Sequence, residues 1–263
     1  MTTARPAPAA RHVHVEHVMG TAFSLDVRGA GAGTGAVSRA VARLASWLHD
    51  VDARFSTHRP DSEIRRIDRG ELLVAEASAD VRWILERCAR LRERTGGAFD
   101  EHARGPLDPS ALVKGWAAEQ GARLLRDGGL QDFCLNAGGD VVVRGGALPA
   151  STWRIGIQHP HDRAAIARAI AVTDAAVATS GLYERGGHLV DPRTGAAPAG
   201  VVSVTVVGPD LGLADAYSTA AFAMGPDAGP RWTLGLAAEG YEALTILAGG
   251  RVLATPGFPQ AID

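Results

Sequence analysis

VVSVTVVGPDLGLADAYSTAAFAM, residues 201–224, decides the fold because it places a β-rich run directly before an apolar helical segment. Residues 201–207 are mostly β-branched, which favours a strand, and residues 213–224 are typical of a helix. Further short β-rich runs, separated by turn residues, lie on both sides of this stretch. The arrangement predicts an α+β fold: a single domain with a mostly antiparallel sheet and packed helices.

Hydrophobic periodicity predicts the other elements. Apolar residues recurring at three- and four-residue steps predict helices, and alternation predicts strands. The predicted helices span residues 37–55, 79–95 and 111–127. The predicted strands span residues 12–27, as one bent strand or two strands around Gly20, and residues 133–144, 153–158, 169–173, 242–247 and 252–255. Residues 1–11 are rich in Ala and Pro and predict a loose tail, which leaves 12–263 as the single domain.

The composition narrows the class of protein. The chain has 263 residues, of which 46% are hydrophobic, and a net charge of −2. These values fit a globular domain with a sizeable core, and they argue against nucleic acid as a main partner. No run is long enough to insert into a membrane, and the start lacks the apolar region of a secretory signal, so we expect a cytoplasmic protein.

Two sequence patterns predict structure rather than chemistry. Cys88 and Cys134 match neither a zinc template nor a disulfide framework, and Cys88 lies on an apolar helix face as a buried thiol. The glycine-rich run at residues 29–35 matches a dinucleotide-binding fingerprint only loosely. It predicts a loop between a strand and a helix.

Asp215 and Thr219 are the first candidate site residues. Four residues apart on a helix, their side chains lie on one face. A carboxylate and a hydroxyl that converge are suitable ligands for Mg²⁺, which takes few protein ligands and completes its shell with water and substrate phosphates. Taken alone, the pair also fits a helix N-terminal region with a satisfied hydroxyl.

Further motifs follow one another along the chain. They are Met19-Gly20-Thr21, FSTHRPDSEI at 55–64, GAFD at 97–100, DPSALVKGW at 108–116, NAGGD at 136–140, TSG at 179–181, HLVDPRTG at 188–195 and ADA at 214–216. In this order they resemble the FAD:protein FMN transferase family, also called ApbE or Ftp flavin transferases. The resemblance runs from about residue 18 to about residue 225.

The resemblance implies an ApbE-like fold, related to the T-fold, and a specific reaction. Family members bind FAD and Mg²⁺, release AMP and attach FMN to a threonine hydroxyl of an acceptor flavoprotein. By motif match, the metal ligands are the Asp215 carboxylate, the Thr219 hydroxyl and the Ala111 carbonyl; Mn²⁺ is a possible substitute. His188 is the implied base. The implied FAD contacts are Met19, His58, Ala98, Phe99, Asp100, Asp108, Lys114 and Leu189.

Elementary chemistry agrees with these roles but leaves structural alternatives. Lys114 supplies a cation for phosphate oxygens, although a lone helical lysine is more often a solvated residue. His188 has the usual pKa of a proton acceptor, although it also suits a surface turn. Asp191 is a candidate to orient His188, and it also begins a good turn with Thr194 and Gly195. Asp140 is either part of the site or only the start of a strand.

The chain departs from the family pattern at several positions. His58 stands where family members have tyrosine, which puts the local isoalloxazine contact in question. The segment between Gly105 and Asp108 is several dozen residues shorter than usual, so part of a subdomain is expected to be missing. Family members are often exported lipoproteins, whereas no signal is apparent here.

Two other functions remain open. One is a Mg²⁺-dependent FAD pyrophosphatase that yields free FMN and AMP. The other is a flavin-binding protein without turnover, which the intact Asp215 and Thr219 pair disfavours. Residue patterns do not show whether water or threonine is the better nucleophile.

Overall fold

A computed structural model describes residues 10–33, 35–181 and 190–262. Among them, one antiparallel sheet of eight strands forms the centre, in the order β1-β2-β3-β4-β7-β8-β9-β10, and β5 pairs with β6 in a separate hairpin. The strands are β1 Arg11–Val18, β2 Thr21–Arg28, β3 Phe133–Ala137, β4 Asp140–Arg144, β5 Trp153–His159, β6 Asp162–Val172, β7 Ala175–Gly181, β8 Val201–Gly208, β9 Glu242–Leu247 and β10 Val252–Ala254. The predicted α+β fold with a mostly antiparallel sheet is therefore confirmed.

The helices cover one face of this sheet. They are α1 Gly35–Phe55, α2 Glu63–Asp68, α3 Ala79–Arg94, α4 Ser110–Asp127, α5 Leu211–Ala223 and α6 Gly225–Thr233. The predicted α1, α3, α4 and α5 are confirmed to within two residues at each end. Residues 12–27 form two strands, β1 and β2, rather than one bent strand. Sequence periodicity missed α2, α6 and β7. Strand β1 begins at Arg11, the last residue assigned to the tail, and residues 1–9 lie outside the described ranges.

The middle of the sheet is buried on both faces. One core lies between the helices and the sheet, and a second core lies between the opposite face and the β5–β6 hairpin. Val142 of β4 belongs to the first core, whereas Val141 and Val143 belong to the second. All eight residues of β8 are buried. Burial on both faces explains why this strand has a nearly continuous apolar sequence rather than an alternating one.

Helices α4 and α5 approach each other closely through glycine. A Cβ atom on Gly115 would lie 2.6 Å from the Leu211 carbonyl oxygen, and one on Gly212 would lie 3.1 Å from the Trp116 nitrogen. Helix α5 also packs on β7 and β8. The absence of side chains at these two glycines brings the second turn of α4 and the first turn of α5 together.

Candidate active site

Motifs that are distant in sequence meet at one end of the central sheet. The β1–β2 turn at Met19 and Gly20 lies beside the β3–β4 turn, where the Gly138 N–H donates to the Ala22 carbonyl at 3.1 Å. A Cβ on Gly138 would overlap the Thr21 hydroxyl. Only glycine therefore fits between these turns. β7 ends at the same end of the sheet, because it runs antiparallel to β4.

Met19 has an uncommon backbone conformation. Its φ is +55° and that of Gly20 is +68°, so both central residues of this two-residue hairpin turn are left-handed. Hairpins of this kind normally carry Asn, Asp or Gly at the first position. The Met19 side chain is partly buried against the main core. A methionine held in this conformation is a candidate for a functional contact.

Lys114 lies between two buried carboxylates. Its ammonium group contacts Asp140 Oδ2 directly and lies 3.4 Å from Asp215 Oδ2. The Asp140 and Asp215 side chains are 1% and 7% exposed, and Lys114 is 22% exposed. With both carboxylates ionised, the three groups carry one net negative charge. Charges of both signs are therefore concentrated in a largely buried place.

Asp140 is more than the start of a strand. Its Oδ1 accepts the Thr179 N–H at 2.8 Å, while its Oδ2 holds Lys114. The Thr179 hydroxyl in turn bonds the Thr205 hydroxyl at 2.8 Å. Asp140 thus ties β4, β7 and α4 together. Of its two sequence interpretations, the structure supports membership of the site.

Thr219 faces strand β7, one helical turn after Asp215. Its hydroxyl lies 3.1 Å from Ser180 Oγ, and Ser180 Oγ lies 2.8 Å from Ser218 Oγ. The Ser218 hydroxyl donates to the Asp215 carbonyl at 2.9 Å. The oxygens of α5 and β7 therefore form a connected cluster next to the lysine and the carboxylates.

The donor set suits Mg²⁺. Asp215 and Thr219 offer hard oxygen ligands from one face of α5. Within residues 10–33, 35–181 and 190–262 no group of three His, Cys, Asp or Glu side chains is placed to hold a metal. Mg²⁺ takes few protein ligands and keeps sites for water and phosphate. Ala111 lies in the first turn of α4, which packs on α5, and the role of its carbonyl stays a prediction.

Two other motifs meet away from this cluster. A Cβ on Gly97 would lie 3.5 Å from the Arg193 side chain, so GAFD contacts the loop that follows residue 190. Arg193 Nε donates to Asp191 Oδ1 at 2.8 Å and Nη2 donates to Oδ2 at 2.9 Å. The Arg193 guanidinium holds the pKa of the Asp191 carboxyl below its usual range. The Asp191 carbonyl also accepts the N–H groups of Thr194 and Gly195, which confirms the predicted turn.

The remaining predicted flavin contacts are spread over several loops. His58 follows α1, and its N–H donates to the Ser56 hydroxyl at 3.2 Å. Ala98 and Phe99 are 1% and 2% exposed, and their N–H groups donate to the Thr95 carbonyl and hydroxyl, so their flavin contact stays a prediction. Asp100 Oδ1 accepts the N–H of the residue two positions later at 2.8 Å. Asp108 Oδ1 accepts the Ser110 N–H at 3.0 Å just before α4, whose N-cap is Pro109.

His188 and Leu189 lie outside the described residues. The predicted base and one predicted flavin contact therefore remain sequence predictions. The structure brings together Lys114, Asp215 and Thr219 from the predicted set.

Sequence reasoning missed Ser180 and Ser218 as members of the cluster. The TSG motif was a signal for the first, although no role followed from it. The helical segment ADAYSTAA contained the second next to Thr219.

The fold and the cluster define an α+β protein with an ammonium–dicarboxylate site beside a hydroxyl network. The chain belongs to the ApbE family: the family model matches residues 19–105 and 101–245. Its fold is similar to that of the flavin transferase ApbE from Vibrio cholerae, with a TM-score of 0.84, 22% identity and coverage of 95% of this chain and 99% of that one. The apbe protein of Thermotoga maritima has a TM-score of 0.82, with 22% identity over 94% and 98% of the two chains.

Two curated relatives share the name FAD:protein FMN transferase. An FAD:protein FMN transferase of Rhodobacter capsulatus is 38% identical over 57% of this chain but only 30% of its own length. The protein of that name from Haemophilus influenzae is 24% identical over 80% of this chain and 79% of its own. The chain thus spans about a third of the length of the Rhodobacter relative and most of the Haemophilus one. Among the described residues, no helix is both long and apolar enough to cross a membrane.

Proposed function

We propose that this protein is a Mg²⁺-dependent flavin transferase that moves FMN from FAD to a threonine hydroxyl of an acceptor flavoprotein and releases AMP. The observation that carries the proposal is the convergence of Lys114, Asp215 and Thr219 at one end of the sheet. Family membership and the shared name of the curated relatives support the same reaction.

The reaction breaks the phosphoanhydride bond of FAD and forms a phosphoester bond to the acceptor. The acceptor hydroxyl oxygen bonds to the phosphorus of the FMN half, and the bond from that phosphorus to the bridging oxygen breaks. The bridging oxygen leaves with AMP, and the hydroxyl proton passes to a base, for which His188 stays the predicted group. Such transfers depend mainly on positioning and on neutralising phosphate charge.

The residues of the cluster divide this task. Lys114 directs its ammonium group toward the diphosphate, and Asp140 keeps it beside Asp215. Asp215 and Thr219 would hold the metal through a carboxylate and a hydroxyl oxygen, with the Ala111 carbonyl as the third proposed ligand. When bound, Mg²⁺ polarises the phosphoryl oxygens as a Lewis acid.

The flavin and adenosine parts are proposed to lie along the surrounding turns. Met19 is proposed to contact the ligand from its left-handed hairpin turn, and Ala98 and Phe99 are proposed contacts by motif match alone. His58, Asp100, Asp108 and Leu189 complete the proposed contacts. The cytoplasmic location stays a prediction.

Intact-mass analysis tests the proposal. An FMN-domain acceptor with a candidate threonine is incubated with this protein, FAD and Mg²⁺. We expect a mass gain of one FMN that EDTA abolishes. AMP without a mass gain would support the pyrophosphatase, and FAD binding without either product would support the flavin-binding protein.

A variant pair locates the metal site in the same assay. Asp215→Asn keeps the side-chain shape but removes the charge, and we expect it to abolish transfer. Asp61→Asn is the matched control, because that carboxylate is 72% exposed. An Asp215→Asn protein as active as the control would refute the assignment of the metal site.

A further inference from the structure

Three hydroxyl groups and one carbonyl form an unbranched hydrogen-bonded chain between β7 and α5. It runs from Thr219 Oγ1 to Ser180 Oγ at 3.1 Å, then to Ser218 Oγ at 2.8 Å, and ends at the Asp215 carbonyl oxygen at 2.9 Å. Ser180 is 5% exposed and Ser218 is fully buried. These hydrogen bonds connect the Thr219 side chain to the backbone of Asp215, and the proposed function assigns the side chains of both residues to the metal.

The number of hydroxyl protons determines which group donates and which accepts in each of these hydrogen bonds. A carbonyl oxygen only accepts, and each hydroxyl has one proton to donate. The Ser218 hydroxyl donates its hydrogen bond to the Asp215 carbonyl, so the Ser218 oxygen accepts a hydrogen bond from the Ser180 hydroxyl. Ser180 has then donated its only hydroxyl proton in a hydrogen bond, so its oxygen accepts a hydrogen bond from the Thr219 hydroxyl. The Thr219 hydroxyl is therefore a donor inside the protein, and its oxygen keeps both lone pairs for another partner.

We propose that Ser180 and Ser218 are positioning residues that present the Thr219 oxygen as a cation ligand. The inference rests on the proposed function, because it assigns a role to two residues behind its metal site. A cation needs a lone pair, and a hydroxyl proton pointing toward it is repelled. Hydrogen bonds behind the ligands commonly set their orientation and tune metal affinity.

The placement of the chain makes it a rigid support. Ser180 belongs to β7, which is paired with β4 on one side and β8 on the other. Ser218 and Thr219 are adjacent on α5, and Asp215 lies one turn earlier. A central strand thus holds the hydroxyl of one ligand, while the chain ends on the backbone of the other.

Mn²⁺ binding to the whole protein tests the inference without turnover. Free Mn²⁺ is measured by electron paramagnetic resonance as protein is added. We expect Ser180→Ala to bind Mn²⁺ about 10- to 100-fold more weakly than the parent. Ser203→Ala is the matched control, because Ser203 is a fully buried serine on neighbouring β8 whose hydroxyl has no hydrogen-bond partner among the described residues. The control should bind like the parent.

Ser218→Ala tests the same hydrogen-bonded chain at a second position, and a folding measurement accompanies each variant. Ser218→Ala lets Ser180 turn its proton toward Thr219, which then directs its own proton outward, so this change should also weaken Mn²⁺ binding. The effects of Ser180→Ala and Ser218→Ala should not add, because both break the same chain. Circular dichroism establishes that each variant is folded.

Kinetics give an independent readout. If the serines act on the metal, the variants need more Mg²⁺ for half-maximal AMP release but recover their rate at saturating Mg²⁺. A lower rate at saturating Mg²⁺ with an unchanged requirement would overturn the inference.

The outcomes separate this inference from the proposed function. Weaker Mn²⁺ binding by Thr219→Val without any loss in Ser180→Ala overturns the role of the serines and leaves the metal site intact. Unchanged binding by Thr219→Val overturns both. Loss in Thr219→Val, Ser180→Ala and Ser218→Ala, but not in Ser203→Ala, supports the inference.

Discussion

Replacing Asp140 with asparagine removes a carboxylate that serves two partners. Its Oδ1 accepts the Thr179 N–H at 2.8 Å, and its Oδ2 holds the Lys114 ammonium group. An asparagine of the same shape has one acceptor oxygen and one amide NH₂ group. Whichever way the amide turns, its NH₂ group faces a donor. One donor therefore loses its acceptor in a buried place.

The expected cost follows from this conflict. A buried donor without an acceptor costs about 1 to 3 kcal/mol, and breaking a fully buried ion pair costs about 3 to 5 kcal/mol. Lys114 is 22% exposed and keeps Asp215 at 3.4 Å, so the cost lies below the upper range. We expect Asp140→Asn to lower the free energy of unfolding by about 2 to 3 kcal/mol.

Urea unfolding followed by tryptophan fluorescence measures this difference at pH 7. Asp61→Asn is the control, because its carboxylate is 72% exposed and pairs with Arg59 at 3.4 Å. We expect the control to change stability by less than about 0.5 kcal/mol.

The double variant tests the cause. Combining Asp140→Asn with Lys114→Met also removes the ammonium group that loses its Asp140 partner, so the double variant should be more stable than the sum of the two single changes predicts. Additive losses, or a loss in Asp140→Asn no larger than in Asp61→Asn, would refute this reasoning.

Two further predictions concern packing and pH. Gly115→Ala should destabilise the protein by about 1 to 3 kcal/mol in the same urea assay, because the new methyl group meets the Leu211 carbonyl at 2.6 Å. Gly235→Ala, with open space around it, should not, and equal effects would contradict the close contact. Burial raises the pKa of Cys134 to about 12 and raises that of Cys88 as well, so native protein at pH 8 should resist alkylation. Because the unfolded chain ionises its thiols from about pH 8.5, stability should fall as the pH rises above that value, and a flat urea midpoint between pH 8 and 10 would contradict this.

Local patterns predicted the long helices well. The apolar stripes of α1 and α3 and the glycine pairs that follow α3 and α4 depend only on neighbours in sequence. Alternation likewise predicted the first hairpin. The strand β7 was missed, because AAVATSG is short and Ala-rich and becomes a strand only by pairing with β4 and β8.

The candidate site divides in the same way. Asp215 and Thr219 were predictable from their spacing, because four residues on a helix place two side chains on one face. The contact of Lys114 with Asp140 was not, because it joins a helix to a strand 26 residues later. The direction of the hydroxyl chain also needed the strand Ser180 occupies.

Periodicity, motif order and helix geometry are local properties, so the fold class, the family resemblance and the shared helix face of Asp215 and Thr219 could be predicted from the residues alone. The position of Lys114 between Asp140 and Asp215, and the contact of Ser180 with Thr219, arise only on folding. The reason is physical: hydrogen bonds and ion pairs act over a few ångströms, and only the folded sheet and the close approach of α4 and α5 bring these groups within that range.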